Sequence, residues 1–206
     1  AMGIPCIVGL ENGYDRLPKE GEIWMDGGSG EVAIDPTPEE QAMFSARRDM
    51  FLQDKKGLQA YWRREAITGN GHKVQVCANI GSPQDAEKAL KAGADGVGLF
   101  RSEFIYLGRD SFPSEEEQFE AYKTVLKLLA PRPVVIRTLD LGSDKQADYF
   151  QIPREDNPAL GYRAIRICLK QQDIFRTQLR ALYRASAFGN LSIMFPMISH
   201  IEQLRL

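Results

Sequence analysis

Cysteine is scarce in this 206-residue chain, and the three present, Cys6, Cys77 and Cys168, are odd in number and far apart. That excludes a disulfide framework and suits reduced thiols in a cytoplasmic protein. Histidine is scarcer still: His72 and His200 lack a neighbour that would make either a base or a metal ligand, and both read as surface residues. No apolar run approaches the ~20 residues needed to span a bilayer, and no signal peptide is visible. Net charge is only −2, so no broad basic field points to nucleic acid or an anionic membrane. No G-x-G-x-x-G follows the first strand of the β/α region, which disfavours a dinucleotide fold. The chain also lacks a conventional start: Ala1 opens it and the strand-like "IPCIVGL" follows almost at once. It reads as a fragment.

What is present changes texture along the chain. Residues 4–10, 22–26 and 31–34 read as three short strands, too few for an independent domain. Thr37-Pro38-Glu39-Glu40 is a capping box with proline at the first helical position. It opens a helix expected to run to about Ala66, bending at Gly57. From 72 onward strand and helix alternate: "KVQVCANI", a helix from Ser82 to Gly93, "GVGLF", a helix capped by Ser114 and Glu117, "PVVIRTL", helical stretches over about 158–170 and 173–187, "LSIMFPMI", and a last capping box at Ser199 and Glu202. Four β/α units with strands this apolar predict a parallel sheet. An open doubly wound sheet and half of an eight-stranded barrel both fit, and the end inside the fourth helix favours the barrel.

In a β/α barrel the chemistry sits at the carboxyl ends of the strands. Arg101 in "GVGLFRSEF" and Arg137 in "VVIRTLDLGSDK" each follow the apolar core of a strand, on successive units. A guanidinium keeps its charge, and its fork of donors matches phosphate or carboxylate in bidentate fashion. Two of them at one mouth would form an anion clamp. Pairing of each with a nearby acid, Glu103 or Asp140, explains the residue types equally well. The glycine loop of "LGSDK" and Arg163 are weaker candidates for the same mouth. The acid run Glu115–Glu117 is a helix N-terminus favoured by the dipole, not a metal site, and no cysteine stands beside a candidate base.

The stretches "GADGVGLFRSEFIYLGRDSFPSEEEQFEAY", "VVIRTLDLGSDK", "NPALGYRAIRICL" and "RASAFGNLSIMFPMI" resemble the enzyme I family of the bacterial sugar phosphotransferase system, the phosphoenolpyruvate–protein phosphotransferases. The resemblance covers nearly the whole chain. It implies the C-terminal end of a swivelling phosphohistidine domain over 1–36, a linker helix over 37–68 and the N-terminal half of a phosphoenolpyruvate-binding TIM-type β/α barrel over 69–206. The implied activity is transfer of a phosphoryl group from phosphoenolpyruvate to a histidine of the same protein, then to a small phosphocarrier protein. By motif, Arg101 and Arg137 resemble the two arginines that hold the substrate's phosphate. The resemblance also implies magnesium and a homodimer. It places the accepting histidine before Ala1, and the magnesium carboxylates and catalytic cysteine after Leu206, so no catalytic or metal residue is expected in these 206 residues and the piece alone is expected to be inactive. A nitrogen-type enzyme I, a pyruvate phosphate dikinase or phosphoenolpyruvate synthase, and a non-catalytic anion-binding module are the alternatives.

Overall fold

The computed structural model describes residues 4–10, 12–13, 17–62, 64–142, 149–150, 152–153 and 155–205. The chain divides into two compact units, 1–61 and 62–206.

In the first unit, β1 (Ile23–Asp26) and β2 (Glu31–Ile34) form an antiparallel hairpin. The Asp26 carboxylate closes its turn by accepting from the Gly28 N–H at 2.8 Å, and Gly30 supplies the positive φ the turn needs. Helix α1 (Pro38–Gln59) starts at the expected capping box: Glu40 N–H donates to Thr37 Oγ1, and Thr37 N–H to Glu40 Oε2 at 2.8 Å. It stops at Gln59, short of the expected Ala66, and buries none of its side chains. Residues 4–10, expected as a strand, belong to none. A strand exists only through a ladder, and among the described residues β1 and β2 pair only with each other.

The second unit opens with a small hairpin, β3 (Ala66–Ile67) against β4 (Lys73–Val74). The stretch expected as one strand, "KVQVCANI", is therefore two. Its first residues turn back on β3, and only β5 (Cys77–Ile80) enters the main sheet. There follow α2 (Pro83–Lys91), β6 (Gly96–Arg101), a 3₁₀ turn (Ser102–Ile105), α3 (Glu115–Leu129), β7 (Pro133–Arg137), α4 (Ile165–Lys170), α5 (Gln172–Ser186), β8 (Asn190–Met194) and α6 (Glu202–Arg205). Helix was expected from 158, but α4 begins only at Ile165. Ala164 takes a φ of 53°, which breaks the run, and the Arg166 guanidinium ties the preceding turn through the Leu160 and Gly161 carbonyls. At the last helix the expected Ser199–Glu202 box is replaced: Ser199 N–H donates to Gln203 Oε1 at 2.8 Å.

The sheet runs β5-β6-β7-β8, every neighbouring pair parallel, in sequence order without reversal. One face packs on the helices: Ile80, Val97, Phe100, Val134 and Ile136 meet Ala86 of α2, Tyr122, Val125 and Leu126 of α3, and Ala181 and Leu182 of α5. Each fully buried large side chain contributes about 1.5–3 kcal/mol. A second cluster, with Tyr106, Leu139, Leu141, Ile165 and Ile167, lies under the loops that follow β6 and β7. The opposite sheet face, carrying Cys77, Asn79, Leu99, Val135, Ser192 and Met194, is left partly or fully open.

A register shift in β6 decides which side chain goes where. Val97 pairs with Val134, but Phe100 pairs with Ile136, so β6 carries one extra residue between them. Without it Phe100 would stand beside Arg137, and Arg101 beside Thr138. With it the phenyl ring stays in the core and Arg101 pairs with Arg137. Gly96 permits the close approach of β6 to β7, since a Cβ there would lie 2.5 Å from the Pro133 carbonyl oxygen.

Candidate anion site at the strand ends

Arg101 and Arg137 are the last residues of β6 and β7 and register partners across the ladder. Partners in register share a face, so both belong to the open side of the sheet at its carboxyl end. Their electrostatic settings differ. Arg137 is held by two acids: one terminal nitrogen lies 2.7 Å from Glu103 Oε1 and the other 2.8 Å from Asp140 Oδ2. Glu103, in the turn after β6, is fully buried. Asp140 is shared, since its second oxygen accepts from Arg163 Nε at 2.9 Å. Arg101 instead lies over Phe104, its guanidinium carbon 4.7 Å from the ring centre, and its buried Nε makes no hydrogen bond. The Nε of Arg137 is also without a partner. Pairing with Glu103 and Asp140 is therefore real for Arg137. Among the described residues, Arg101 rests on an aromatic platform and pairs with no acid.

Among the described residues, Arg137 and Arg163 meet the carboxylates of Glu103 and Asp140, and Arg101 adds a further guanidinium at the same strand ends. A guanidinium bonded to acids through one N–H on each terminal nitrogen still has donors to offer, and the acids fix its plane. Beside Arg101, between the end of β5 and the start of α2, lies a cavity of about 310 Å³ that Ser82, Asp85, Phe104 and Ile105 also line.

Arg163, the weaker candidate, joins the cluster through Asp140. The glycine loop is only partly visible: Gly142 is described, while Ser143, Asp144 and Lys145 lie outside the described residues. His72 sits in the β3–β4 turn and His200 ahead of α6, and both are exposed. Among the described residues no group of three or more His, Cys, Asp or Glu side chains could hold a metal ion. The two carboxylates at the mouth, Glu103 and Asp140, are engaged by arginines. Cys168 is buried, and burial pushes its thiol up to about 12, which keeps it protonated. No helix among the described residues is long and apolar enough to cross a membrane.

Sequence reasoning missed a set of buried polar side chains behind the arginines. Gln118 of α3 and Gln178 of α5 each occupy a place in their helix's buried stripe: Gln178, Ala181, Leu182 and Ala185 follow i, i+3, i+4, i+7. An amide at such a place must find buried partners, and that was the available signal. The Gln118 carbonyl accepts from Tyr106 Oη at 3.0 Å and Tyr122 Oη at 3.2 Å. Burial holds both phenols above the ordinary tyrosine range, so both stay neutral and able to donate.

Comparison with known proteins adds a family to this geometry. A profile described as "PEP-utilising enzyme, PEP-binding domain" matches residues 55–206. Over 205 residues the chain is 48% identical to the phosphoenolpyruvate-protein phosphotransferase of Staphylococcus carnosus (strain TM300) and 47% identical to that of Staphylococcus aureus. It is 46% identical to the protein of the same name from Bacillus sp. (strain S). Each alignment takes in all of this chain and 36% of the relative.

Proposed function

The chain belongs to the family of PEP-utilising enzymes through their PEP-binding domain, and on that premise we propose that it is part of a phosphoenolpyruvate–protein phosphotransferase. That enzyme moves a phosphoryl group from phosphoenolpyruvate to its own histidine and then to a small phosphocarrier protein. Residues 69–206 supply the first half of a β/α barrel, preceded by a linker over 37–68, helical from Pro38 to Gln59, and the end of a phosphohistidine domain over 1–36. Two features support the half barrel. The strands run in sequence order with no reversal, as in singly wound barrels and unlike doubly wound sheets. The open face carries Cys77, Asn79, Leu99, Val135, Ser192 and Met194, with no charged side chain short of Arg101 and Arg137. Parallel sheets are covered on both faces, and an uncharged face suits a barrel interior better than water.

The observation that carries the site is the register pairing of Arg101 with Arg137 at the strands' carboxyl ends. Phosphoryl transfer asks the protein mainly to place the phosphate and to stabilise charge on its equatorial oxygens. Arg137, its plane set by Glu103 and Asp140, and Arg101, braced on Phe104, serve as the two donors. Magnesium, when bound, neutralises phosphate charge; its ligands belong to residues outside these 206, as does the accepting histidine. The whole enzyme is cytoplasmic and works as a homodimer.

The test compares the full-length enzyme with the 206-residue chain, each given labelled phosphoenolpyruvate and magnesium. Acid-labile phosphohistidine is expected on the full-length enzyme and none on His72 or His200 of the chain. Clear labelling of either histidine would overturn the assignment.

A further inference from the structure

The buried amide of Gln178 has no part in the phosphate clamp as described above, yet it touches both sides of it. Its carbonyl oxygen accepts from the Leu139 N–H at 2.9 Å, two residues beyond Arg137. Its Nε2 lies 3.0 Å from Ser102 Oγ, the residue directly after Arg101, and 3.1 Å from Tyr122 Oη. Gln178 and Ser102 are both fully buried. One side chain on α5 thus bonds the chain just past each arginine and bonds the tyrosine of α3 behind them.

A leucine at this place would continue the apolar stripe of α5 at no polar cost. The amide is tolerated only because every partner is present, and such networks fix one arrangement where an apolar contact would allow several. The two strand ends are already in register through the β6–β7 ladder. Beyond Arg101 and Arg137, however, the ladder stops, and Gln178 continues the tie between the two loops. Glu103, which orients Arg137, sits in the same turn as Ser102. A shift of that turn would therefore move the carboxylate that sets the plane of Arg137.

We propose that Gln178 is a positioning residue of the phosphoenolpyruvate site, locking the two arginine-bearing strand ends together so that both guanidinium groups meet the phosphate already placed. The proposal rests on the assignment of Arg101 and Arg137 to that phosphate. Displacement of a clamp by about 1 Å can cost on the order of 100-fold in rate, so the loss of one buried amide should show in turnover.

The experiment uses the full-length enzyme with Gln178→Met, which keeps the length and removes the polar ends, and with Ser102→Ala, which removes one partner and little volume. Arg137→Lys is the control for the clamp itself. Two reactions are measured: phosphorylation by phosphoenolpyruvate, and phosphorylation by the phosphorylated carrier protein, which bypasses this site. For Gln178→Met, kcat/KM for phosphoenolpyruvate is expected to fall at least tenfold, and for Ser102→Ala about threefold, while transfer from the carrier stays within twofold. A merely structural loss would lower the thermal midpoint of the barrel in step with phosphoenolpyruvate use, and kcat/KM losses that appear only with such a lowered midpoint overturn the proposal. If Arg137→Lys abolishes phosphoenolpyruvate use but both other variants stay within twofold, the positioning role is wrong and the clamp stands. If Arg137→Lys is itself near normal, the clamp assignment fails first. Should Gln178→Met not accumulate as folded protein, Ser102→Ala decides on the same two reactions.

Discussion

The two faces of the four-stranded sheet are built from the same strands by different rules. The helix-covered face takes large apolar side chains, Phe100, Val134, Ile136 and Ile80, and leaves them no exposed surface worth counting. The open face takes small, polar and medium apolar side chains, with charge only where the strands end. The difference separates two duties. The covered face holds the unit together using helices that this chain itself supplies. The open face does little for the stability of these residues and serves as the floor from which Arg101 and Arg137 leave. The β6 register shift is where the duties meet, because the same extra residue keeps Phe100 on the first face and Arg101 on the second.

The comparison breaks most visibly at the arginines. In the full-length enzyme, Arg137→Lys should lower kcat/KM for phosphoenolpyruvate by about 100-fold or more, the cost of removing an aligned donor from a developing anion. Lysine keeps the charge but not the planar fork that meets both acids and phosphate. Arg101→Met should lose a similar factor. Arg137→Ala is less clean: it takes from the buried Glu103 carboxylate a partner at 2.7 Å, and breaking such a pair costs on the order of 3 kcal/mol of stability besides. Steady-state kinetics on Arg137→Lys and Arg101→Met decide the matter, and near-normal turnover in both would dismiss the clamp.

Stability should divide the other way. Phe100 is fully buried and packs edge-on to Tyr122 with ring centres 6.0 Å apart. Phe100→Ala should cost about 3–5 kcal/mol, for lost transfer energy and the cavity left behind. Val135→Ala on the open face of the neighbouring strand should cost under about 1 kcal/mol in the 206-residue chain. Denaturant titration of both variants measures the gap. Equal costs would mean that the open face is covered in this chain by contacts the fold does not show, such as a second copy.

How much of this was legible in the sequence depends on the range of the forces concerned. The capping boxes at Thr37 and Ser114 close within three residues, and both appear as read. The apolar strands that lead to Arg101 and Arg137 appear too, the second stopping at Arg137 where it was expected to reach Leu139, because a run of buried side chains broken by a guanidinium is itself a local pattern. What failed needed a distant partner. Residues 4–10 have strand composition but no strand to pair with. The break in "KVQVCANI" follows from the fold-back onto β3, which no alternation of side chains signals. The β6 shift moves the pairing by one residue, and Gln178 looked like an ordinary polar residue until Leu139 and Ser102 arrived from 39 and 76 residues away. The choice between an arginine paired with acids and one set on an aromatic ring was equally a matter of tertiary neighbours.

The smallest expected effect is chemical and also the most direct probe of the open face. Cys77 begins β5 on that face and is exposed, whereas Cys168 lies inside the second cluster with its thiol pushed up to about 12. A thiolate-directed reagent at neutral pH should therefore modify Cys77 of the 206-residue chain readily, and Cys168 only after unfolding. If the open face is half of a barrel interior, the full-length enzyme should shield Cys77 as the remaining strands close over it. Its labelling rate should then fall by roughly tenfold or more, the factor that a local opening cost of about 1.4 kcal/mol imposes. Peptide mass mapping after timed labelling reads each cysteine separately, with Cys168 as the protected standard in both forms. A Cys77 that reacts as fast in the full-length enzyme as in the chain would leave the face open there too, and the sheet would then be the floor of an open cleft and not the wall of a closed barrel.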